Sequence, residues 1–330
     1  MKAIVIRTWS DPGALSVHEV AAPVAGEREV LIRVRCAAVS HSLSLLIAGK
    51  YQRKPALPFI PGNTAAGEVV ATGSAVRCIR PGDRILASLE SGGLAELAVA
   101  HEHNVYPIPA GMPFDQATTL NASYNSVAAA LTWPHLLALQ PGQSLLVTGA
   151  AGGVGIAAIQ IGRLLGARVI AVAGSPAKRA RAIAEGANQA VDSDPATLRD
   201  AVLRANGGQP VERAMESIGG ATFTQVLRCL APEGRVLPIG FVSGDIPDIP
   251  ANLLLVKNIT VCGLYMGYYK IDARTEHAGR MQALFAQLGR WWEEGRIRPL
   301  VGGRYRLEQT PAAFAQVLNR SNVGAVVIEP

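Results

Sequence analysis

Residues 144–165 read SLLVTGAAGGVGIAAIQIGRLL, and their order decides the fold. Ser144 to Thr148 is a short apolar run with the length of a buried parallel strand. Gly149 to Gly155 predicts a sharp turn, and Ile156 to Leu165 a helix with Ala157, Ile161, Leu164 and Leu165 on one face. Strand, glycine turn, helix is the context in which such a pattern points to a dinucleotide. Gly152 lets the backbone approach a pyrophosphate, and Gly155 lets the helix pack against the strand. The N–H groups at the helix start, at Gly153 and Val154, then face the phosphate charge. The first glycine of the usual G-x-G-x-x-G is Ala150 here, so the match is imperfect. A tight turn with no ligand is the competing reading, and the pattern that follows weighs against it.

From about residue 120 onward strand-like and helical runs alternate. Strands are expected at Arg168–Val172, Ala190–Val191, Arg213–Met215, Arg235–Ile239 and Ile259–Tyr265. Helices are expected from Pro176, near Leu198–Ala205 and over Phe223–Leu230. That alternation predicts an α/β domain with a doubly wound parallel sheet. Residues 1–121 have another texture: short β runs broken by Pro12-Gly13, Pro61-Gly62 and Pro81-Gly82, which suggest a small barrel-like domain. One helix, Ser42 to Ala48, is stopped by Gly49. Residues 122–265 form the nucleotide domain, and 266–330 a tail with a helix over His277–Glu294 and a strand over Gly324–Glu329.

Hydrophobic residues are 49% and charged ones 17% of the 330, which excludes a disordered chain. The net charge of +6 comes from scattered Lys and Arg without a dense basic tract, so nucleic acid is not the expected partner. A positive field helps collect an anionic cofactor. The apolar stretch around residue 160 is interrupted by Arg163 and Arg168 and is not expected to span a membrane. Cys36, Cys78, Cys229 and Cys262 are far apart and form no C-x-x-C pair. With no secretory signal in MKAIVIRTW, a reducing cytoplasm is the expected location.

An NAD site places an acid about 20 residues after the glycines. The second strand here ends RVIAVAGSPAKR, with Gly174 and Ser175 at that place and Lys178 and Arg179 behind. A hydroxyl and cations suit a 2′-phosphate, whereas a carboxylate repels it. The expected cofactor is therefore NADPH. One of the two cations is expected to lie merely on the solvated helix face.

With these residues in hand, the chain resembles the zinc-free quinone oxidoreductase and enoyl reductase branch of the medium-chain dehydrogenases/reductases. The markers are PGNTAAGEV at 61, GDRI at 82, GGLAELAVA at 92, TGAAGGVG at 148, ESIGG at 216, LRCLAPEGRVLPIGF at 227, IPANLLLVKNITVCGLYMG at 249 and EGRIRPLVG at 294. The resemblance implies a GroES-like, mostly-β catalytic domain, a Rossmann domain, a tail returning to the first domain, and a cofactor in the cleft between the two. Zinc-dependent relatives carry a Cys after the first core strand, a His-Glu pair after a Gly, and a later Cys. Here those places read Ser40, Asn63-Thr64, and Thr118–Tyr124 without Cys or His, so no metal is expected. Without a Lewis acid the expected chemistry shifts from alcohol oxidation to reduction of an electrophilic C=C or quinone.

Tyr51 matches the proton-donating tyrosine of the mitochondrial enoyl thioester reductases; a packing tyrosine is the alternative. Ser40 stands where quinone reductases often have Asn, or is a strand-end hydroxyl bonded to backbone. His41 is a candidate proton donor near neutral pH, with a structural role beside the helix from Ser42 as the alternative. Ser126 keeps the hydroxyl of a Tyr-x-Thr segment that touches the nicotinamide end. Gly240 and Phe241 follow a Rossmann strand end, where ligands sit. Met266 and Gly267 lie in a loop the family uses near the nicotinamide, and Gly267–Ile271 is expected to set specificity. Ala325 replaces a common Lys. His18, His101, His103, His135 and His277 read as surface or structural. The apolar run Asn258–Tyr265 is expected as an open sheet edge that pairs with its copy in a homodimer. The substrate classes left standing are a quinone, an enone or an enoyl thioester. A redox sensor that binds NADPH without turnover is the reading from outside the enzymes.

Overall fold

Pro and Gly punctuate the apolar runs of the first third of the chain, and short strands result. They are β1 (Lys2–Ile4), β2 (Val17–Glu19), β3 (Glu29–Val39), β4 (Thr64–Thr72), β5 (Arg84–Ser88), β6 (Leu97–His101) and β7 (Val105–Pro107). Helix α1 (His41–Ile47) leaves the end of β3 and stops before Gly49, whose φ of +68° costs a glycine little. Helix α2 (Phe114–Thr119) leads into a wide turn, Leu120–Tyr124, where the Asn125 N–H reaches the Leu120 carbonyl five residues back. The computed structural model describes residues 1–270 and 275–330.

The second stretch follows the βα alternation. Its elements are α3 (Asn125–Thr132), β8 (Ser144–Thr148), α4 (Gly153–Leu164), β9 (Arg168–Val172), α5 (Pro176–Ala184), β10 (Gln189–Val191), α6 (Leu198–Ala205), β11 (Val211–Glu216), α7 (Gly220–Cys229), β12 (Leu230–Pro238), α8 (Ala251–Lys257) and β13 (Thr260–Val261). The strands pair in parallel in the order β10-β9-β8-β11-β12-β13. Counted from β8 that is 3-2-1-4-5-6, the dinucleotide-binding order, with its switch point between β8 and β11. Every residue of β8 is buried, as a parallel strand covered on both faces requires. Leu146, Ile170, Ala214 and Val236 of the sheet pack with Phe223, Val226 and Leu227 of α7.

The tail contributes α9 (Met266–Lys270), α10 (Thr275–Glu293), β14 (Val301–Arg306), α11 (Thr310–Leu318) and β15 (Ala325–Glu329). Strand β15 runs antiparallel to β3, with Val326 opposite Val39, and parallel to β14. The first sheet is thus β14-β15-β3-β4-β5-β7, with β6 also on β3. Its core gathers Ile32, Val34, Ile85, Phe314 and Ile328.

One unit comprises Met1–Asn125, Met266–Glu294 and Pro299–Pro330; the other comprises Ser126–Tyr265 and Gly295–Arg298. The short Gly295–Arg298 piece departs from the expected tail. Gln160 explains it: its side chain accepts from the Arg298 N–H at 2.9 Å and donates to the Arg298 carbonyl at 3.1 Å. The expected last strand, Asn258–Tyr265, pairs just over Thr260–Val261. Asn258 is left-handed (φ 53°) and caps α8, so the strand cannot begin there. Helix α4 begins at Gly153, a turn earlier than the apolar face suggested. Helices α2, α3, α8 and α11 interrupt stretches whose composition gave no helical period. Among the described residues no helix is long and apolar enough to cross a membrane.

Candidate functional site

The glycine turn is a backbone device. Gly149 has φ +60°, and a Cβ at Gly155 would stand 2.4 Å from the Gly149 carbonyl oxygen and 2.6 Å from the Ala150 Cα. Gly155 therefore brings the helix against the turn. The contact between helix and strand is made by Gly162, whose Cβ would meet Leu145 at 2.7 Å. The Ala150 N–H is taken by the Val172 carbonyl (3.1 Å) and the Gly152 N–H by the Gly149 carbonyl (3.1 Å), so these two hold the turn. Gly153, Val154 and Gly155 supply the first N–H groups of α4, which have no intrahelical acceptor by position. No side chain caps them. The turn is a cradle for an anion, with the dipole of a 12-residue helix behind it.

At the switch point the ends of β8 and β11 are tied together. Thr148 Oγ1 donates to Glu216 Oε1 at 2.9 Å and accepts from the Ser217 N–H at 2.8 Å. Ser217 Oγ donates to the Thr148 carbonyl at 3.0 Å. Glu216 is fully buried and accepts from the N–H groups of Ile218 (2.7 Å) and Gly219 (2.9 Å). Burial pushes its carboxyl above the usual range, and these bonds pull against that. ESIGG marks the family resemblance, yet no spacing in the sequence gives Glu216 or Ser217 a role. Gly240 and Phe241 leave the sheet just beyond β12, and the next N–H, that of Val242, donates to the Ser217 carbonyl at 3.1 Å. They lie, like the glycine turn, at the carboxyl end of a strand of this sheet, with β11 between β8 and β12.

At the end of β9, Ser175 caps α5 and its Oγ accepts from the Lys178 N–H at 3.3 Å. The hydroxyl proton is not used in that bond. Gly174 is exposed, and a Cβ on it would come 3.0 Å from Ser193 Oγ. Arg179 does not lie merely on the solvated helix face. Its guanidinium donates to the Ala173 carbonyl at 3.0 Å and forms an ion pair with Asp192. Asp192 follows β10 in sequence and meets Arg179 through sheet pairing, which no local spacing announces.

The first unit holds the expected proton donors. Ser40 caps α1, accepting from the Leu43 N–H at 3.2 Å, and lies 3.0 Å from Ser42 Oγ. His41 is the first helical residue; burial, and more weakly Arg320, hold its imidazole below the usual range. That favours the neutral ring. Tyr51, beyond the other end of α1, packs part-buried against the unit's core. Met266 and Gly267 sit in a helical turn and not in a loop; Tyr268 and Tyr269 of the same turn meet the His277 ring at 5.0 and 5.1 Å, tilted and edge-on. Ile271, the far end of the expected specificity loop, lies outside the described residues. Ser126, half-buried in α3, belongs to the second unit.

A polar cluster in the first unit was missed. Asn121, 3% exposed, sits on the wide turn, a geometry that recurs at functional sites. Its Oδ1 accepts from Ser88 Oγ (3.0 Å), Asn125 Nδ2 (2.8 Å) and Lys270 Nζ (2.5 Å). Its Nδ2 donates to Thr64 Oγ1 at 3.0 Å and the Ala87 carbonyl at 3.3 Å. Burial pushes the Lys270 ammonium down to about 7. Thr64 and Asn121 fall in the two segments already noted as lacking zinc ligands. Among the described residues no three His, Cys, Asp or Glu side chains gather closely enough to hold a metal ion.

Comparison with known proteins adds names to this geometry. Residues 26–110 match the alcohol dehydrogenase GroES-like domain, and residues 153–282 match the family described as zinc-binding dehydrogenase. Quinone oxidoreductase-like protein 2 of Mus musculus is 35% identical over 315 residues, covering 95% of this chain and 88% of that one. A solved quinone oxidoreductase of Pseudomonas syringae pv. tomato aligns with a TM-score of 0.91 at 26% identity, over 100% of this chain and 99% of that chain. A mycobacterial protein solved in complex with NADPH aligns with a TM-score of 0.90 at 26% identity, over 100% of both chains.

Proposed function

Because this chain belongs to the quinone oxidoreductase-like branch of the medium-chain dehydrogenase/reductase family, we propose that it is an NADPH-dependent reductase of quinones or α,β-unsaturated carbonyl compounds. The observation that carries the cofactor is the uncapped start of α4 beside a turn where added Cβ atoms would clash. The N–H groups of Gly153, Val154 and Gly155 receive the pyrophosphate. The Ser175 hydroxyl and Lys178 receive the 2′-phosphate, where a carboxylate would exclude it. Ser126, Gly240, Phe241, Met266 and Gly267 are the proposed contacts nearer the nicotinamide. When bound, NADPH supplies the hydride, and the chain supplies orientation and charge.

Hydride addition leaves negative charge on a substrate oxygen. Each well-placed donor there is worth about 2.7–4 kcal/mol in the transition state. Tyr51 and Ser40 are proposed donors; the Ser40 hydroxyl accepts from the Leu43 N–H and shares a hydrogen bond with Ser42 Oγ. His41 in its neutral form can donate an N–H but is a poor acid. The test is NADPH consumption with quinones, enones and enoyl thioesters, with Tyr51→Phe beside wild type. Turnover of a quinone or enone supports the proposal. Preference for the thioesters, with a large loss in Tyr51→Phe, favours an enoyl thioester reductase, the reading suggested by the position of Tyr51. Tight NADPH binding with no turnover of any substrate favours a redox sensor.

We also propose a homodimer joined at the β13 edge. The edge has one paired neighbour, β12, and α8 beside it exposes Leu255 (79%) and Val256 (77%). Light scattering at micromolar concentration reads the mass directly, and a monomer there counts against the dimer.

A further inference from the structure

Lys270 is held by neutral groups. Its ammonium donates to the Asn121 amide oxygen, which Ser88 and Asn125 also approach, and Thr64 fixes the far side of the same amide. The Phe285 ring lies 6.0 Å away, within reach of a weak cation–π contact. Among the described residues no carboxylate pairs with Lys270, and burial is the cause found for its lowered affinity for a proton. The residue keeps some exposed surface although its charge lies deep.

A lysine retained for stability alone would be paired, because burying an unpaired charge costs more than any contact its stem makes. Lys270 instead borders a cavity of about 210 Å3 shared with Ser88, His101, Asn104, Glu29 and Glu90. The two carboxylates are engaged elsewhere: Glu90 pairs with Arg53 at 3.0 Å, and Glu29 accepts from the Gly26 N–H at 2.8 Å. Burial holds the His101 imidazole below its usual range, so it adds little positive charge at neutral pH. Among the described residues neither carboxylate pairs with Lys270, so its ammonium enters the cavity wall as a buried cation held by neutral groups.

We propose that Lys270 is the cation that meets the oxyanion formed during substrate reduction and gives it a proton. The inference rests on the reductase reading above. Hydride supplied by NADPH forms the new C–H bond, and the C=C electron pair moves to the carbonyl oxygen. An N–H bond of Lys270 then breaks as the enolate takes that proton; for a quinone the hydride forms an O–H bond at one oxygen, and the anion left on the other oxygen takes the lysine proton. Water returns a proton to the neutral amine. Substrate, NADPH and one proton are consumed, and reduced product and NADP+ are formed.

Three measurements on the full chain test this. Acetylation of the cofactor-free protein across pH, read by mass spectrometry, is expected to titrate Lys270 near 7, well below the other lysines. A midpoint in the ordinary lysine range, or no acetylation at any pH, overturns the proposal. Lys270→Met is expected to lower kcat by about a hundredfold or more while NADPH binding, read by fluorescence, is unchanged. It is also expected to melt higher than wild type, which a purely structural lysine would not allow. Lys270→Arg keeps the charge but has no readily transferred proton, so full activity in that variant overturns proton donation.

The third measurement needs no turnover. p-Nitrophenol is expected to bind wild type as the yellow phenolate below its solution pKa, and this signal is expected to vanish in Lys270→Met. If wild type reduces enones and Lys270→Met does so equally well, the Lys270 proposal fails and the reductase reading stands. If no substrate is turned over but phenolate capture depends on Lys270, the reductase reading fails and the oxyanion site stands. Absence of capture in wild type overturns the site.

Discussion

The glycine turn of the second unit and the Asn121 cluster of the first are both built to face negative charge, but from different materials. The turn uses N–H groups whose dipoles are permanent, and all its parts lie within Gly149–Gly155. The cluster uses side chains brought together over long stretches of chain: Lys270 and Asn121 are 149 residues apart, Thr64 and Asn121 57. The turn's chemistry is insensitive to pH, whereas the cluster's centre is a titrating ammonium. A backbone site imposes its demand on adjacent residues, so it leaves a spacing that can be read. A side-chain site imposes its demand on tertiary contacts and leaves no spacing.

The largest effect is expected where the contrast is sharpest. Gly155→Val puts a branched side chain where even a Cβ would lie 2.4 Å from a backbone oxygen. It is expected to abolish NADPH binding and to cost about 3 kcal/mol of stability, read by fluorescence titration and urea unfolding. Near-normal NADPH binding in this variant would break the claim that the turn is a backbone device. A smaller effect is expected at the phosphate end. Lys178→Ala should weaken NADPH by about tenfold, the equivalent of about 1.4 kcal/mol, and leave NADH unchanged. Equal weakening of both dinucleotides would place Lys178 on a general surface role.

A further effect concerns pH and stability. Lys270 holds its proton less firmly in the folded chain (about 7) than in the unfolded one (10.5). Between those values the unfolded state binds more protons, so stability from this residue rises with pH there and is lost as pH falls towards 7. The stability gap between wild type and Lys270→Met should therefore narrow from pH 7 towards 10.5. A gap that does not change over that window would mean the ammonium is solvated and the two sites are less different than described.

Much of the second unit was legible. β8 and β9 follow their expected runs residue for residue, because a parallel strand covered on both faces needs an apolar centre and keeps polar residues at its ends. The helix from Pro176 was likewise legible in its sequence, and the cap that Ser175 gives it came with the structure. Helix α8 was not legible, since NLLLVK leaves both its faces apolar and Leu255 exposed. Of the site, the glycine cradle and the missing acid after β9 were readable. Glu216, Asp192, Asn121 and Lys270 were not, because each matters through a partner on another strand or helix. Lys270 in MGYYK looks like an ordinary surface cation until Asn121 is placed beside it.

The ion pair between Arg179 and Asp192 makes cofactor choice a contest and not a simple attraction. An incoming phosphate must outbid a resident carboxylate for that guanidinium, so part of the available positive field is already neutralised. Discrimination between the two dinucleotides should then widen in Asp192→Asn, which removes the competing charge. The acid that the second strand omits has, in effect, been moved to its neighbour, where it tempers the preference without forbidding the phosphate.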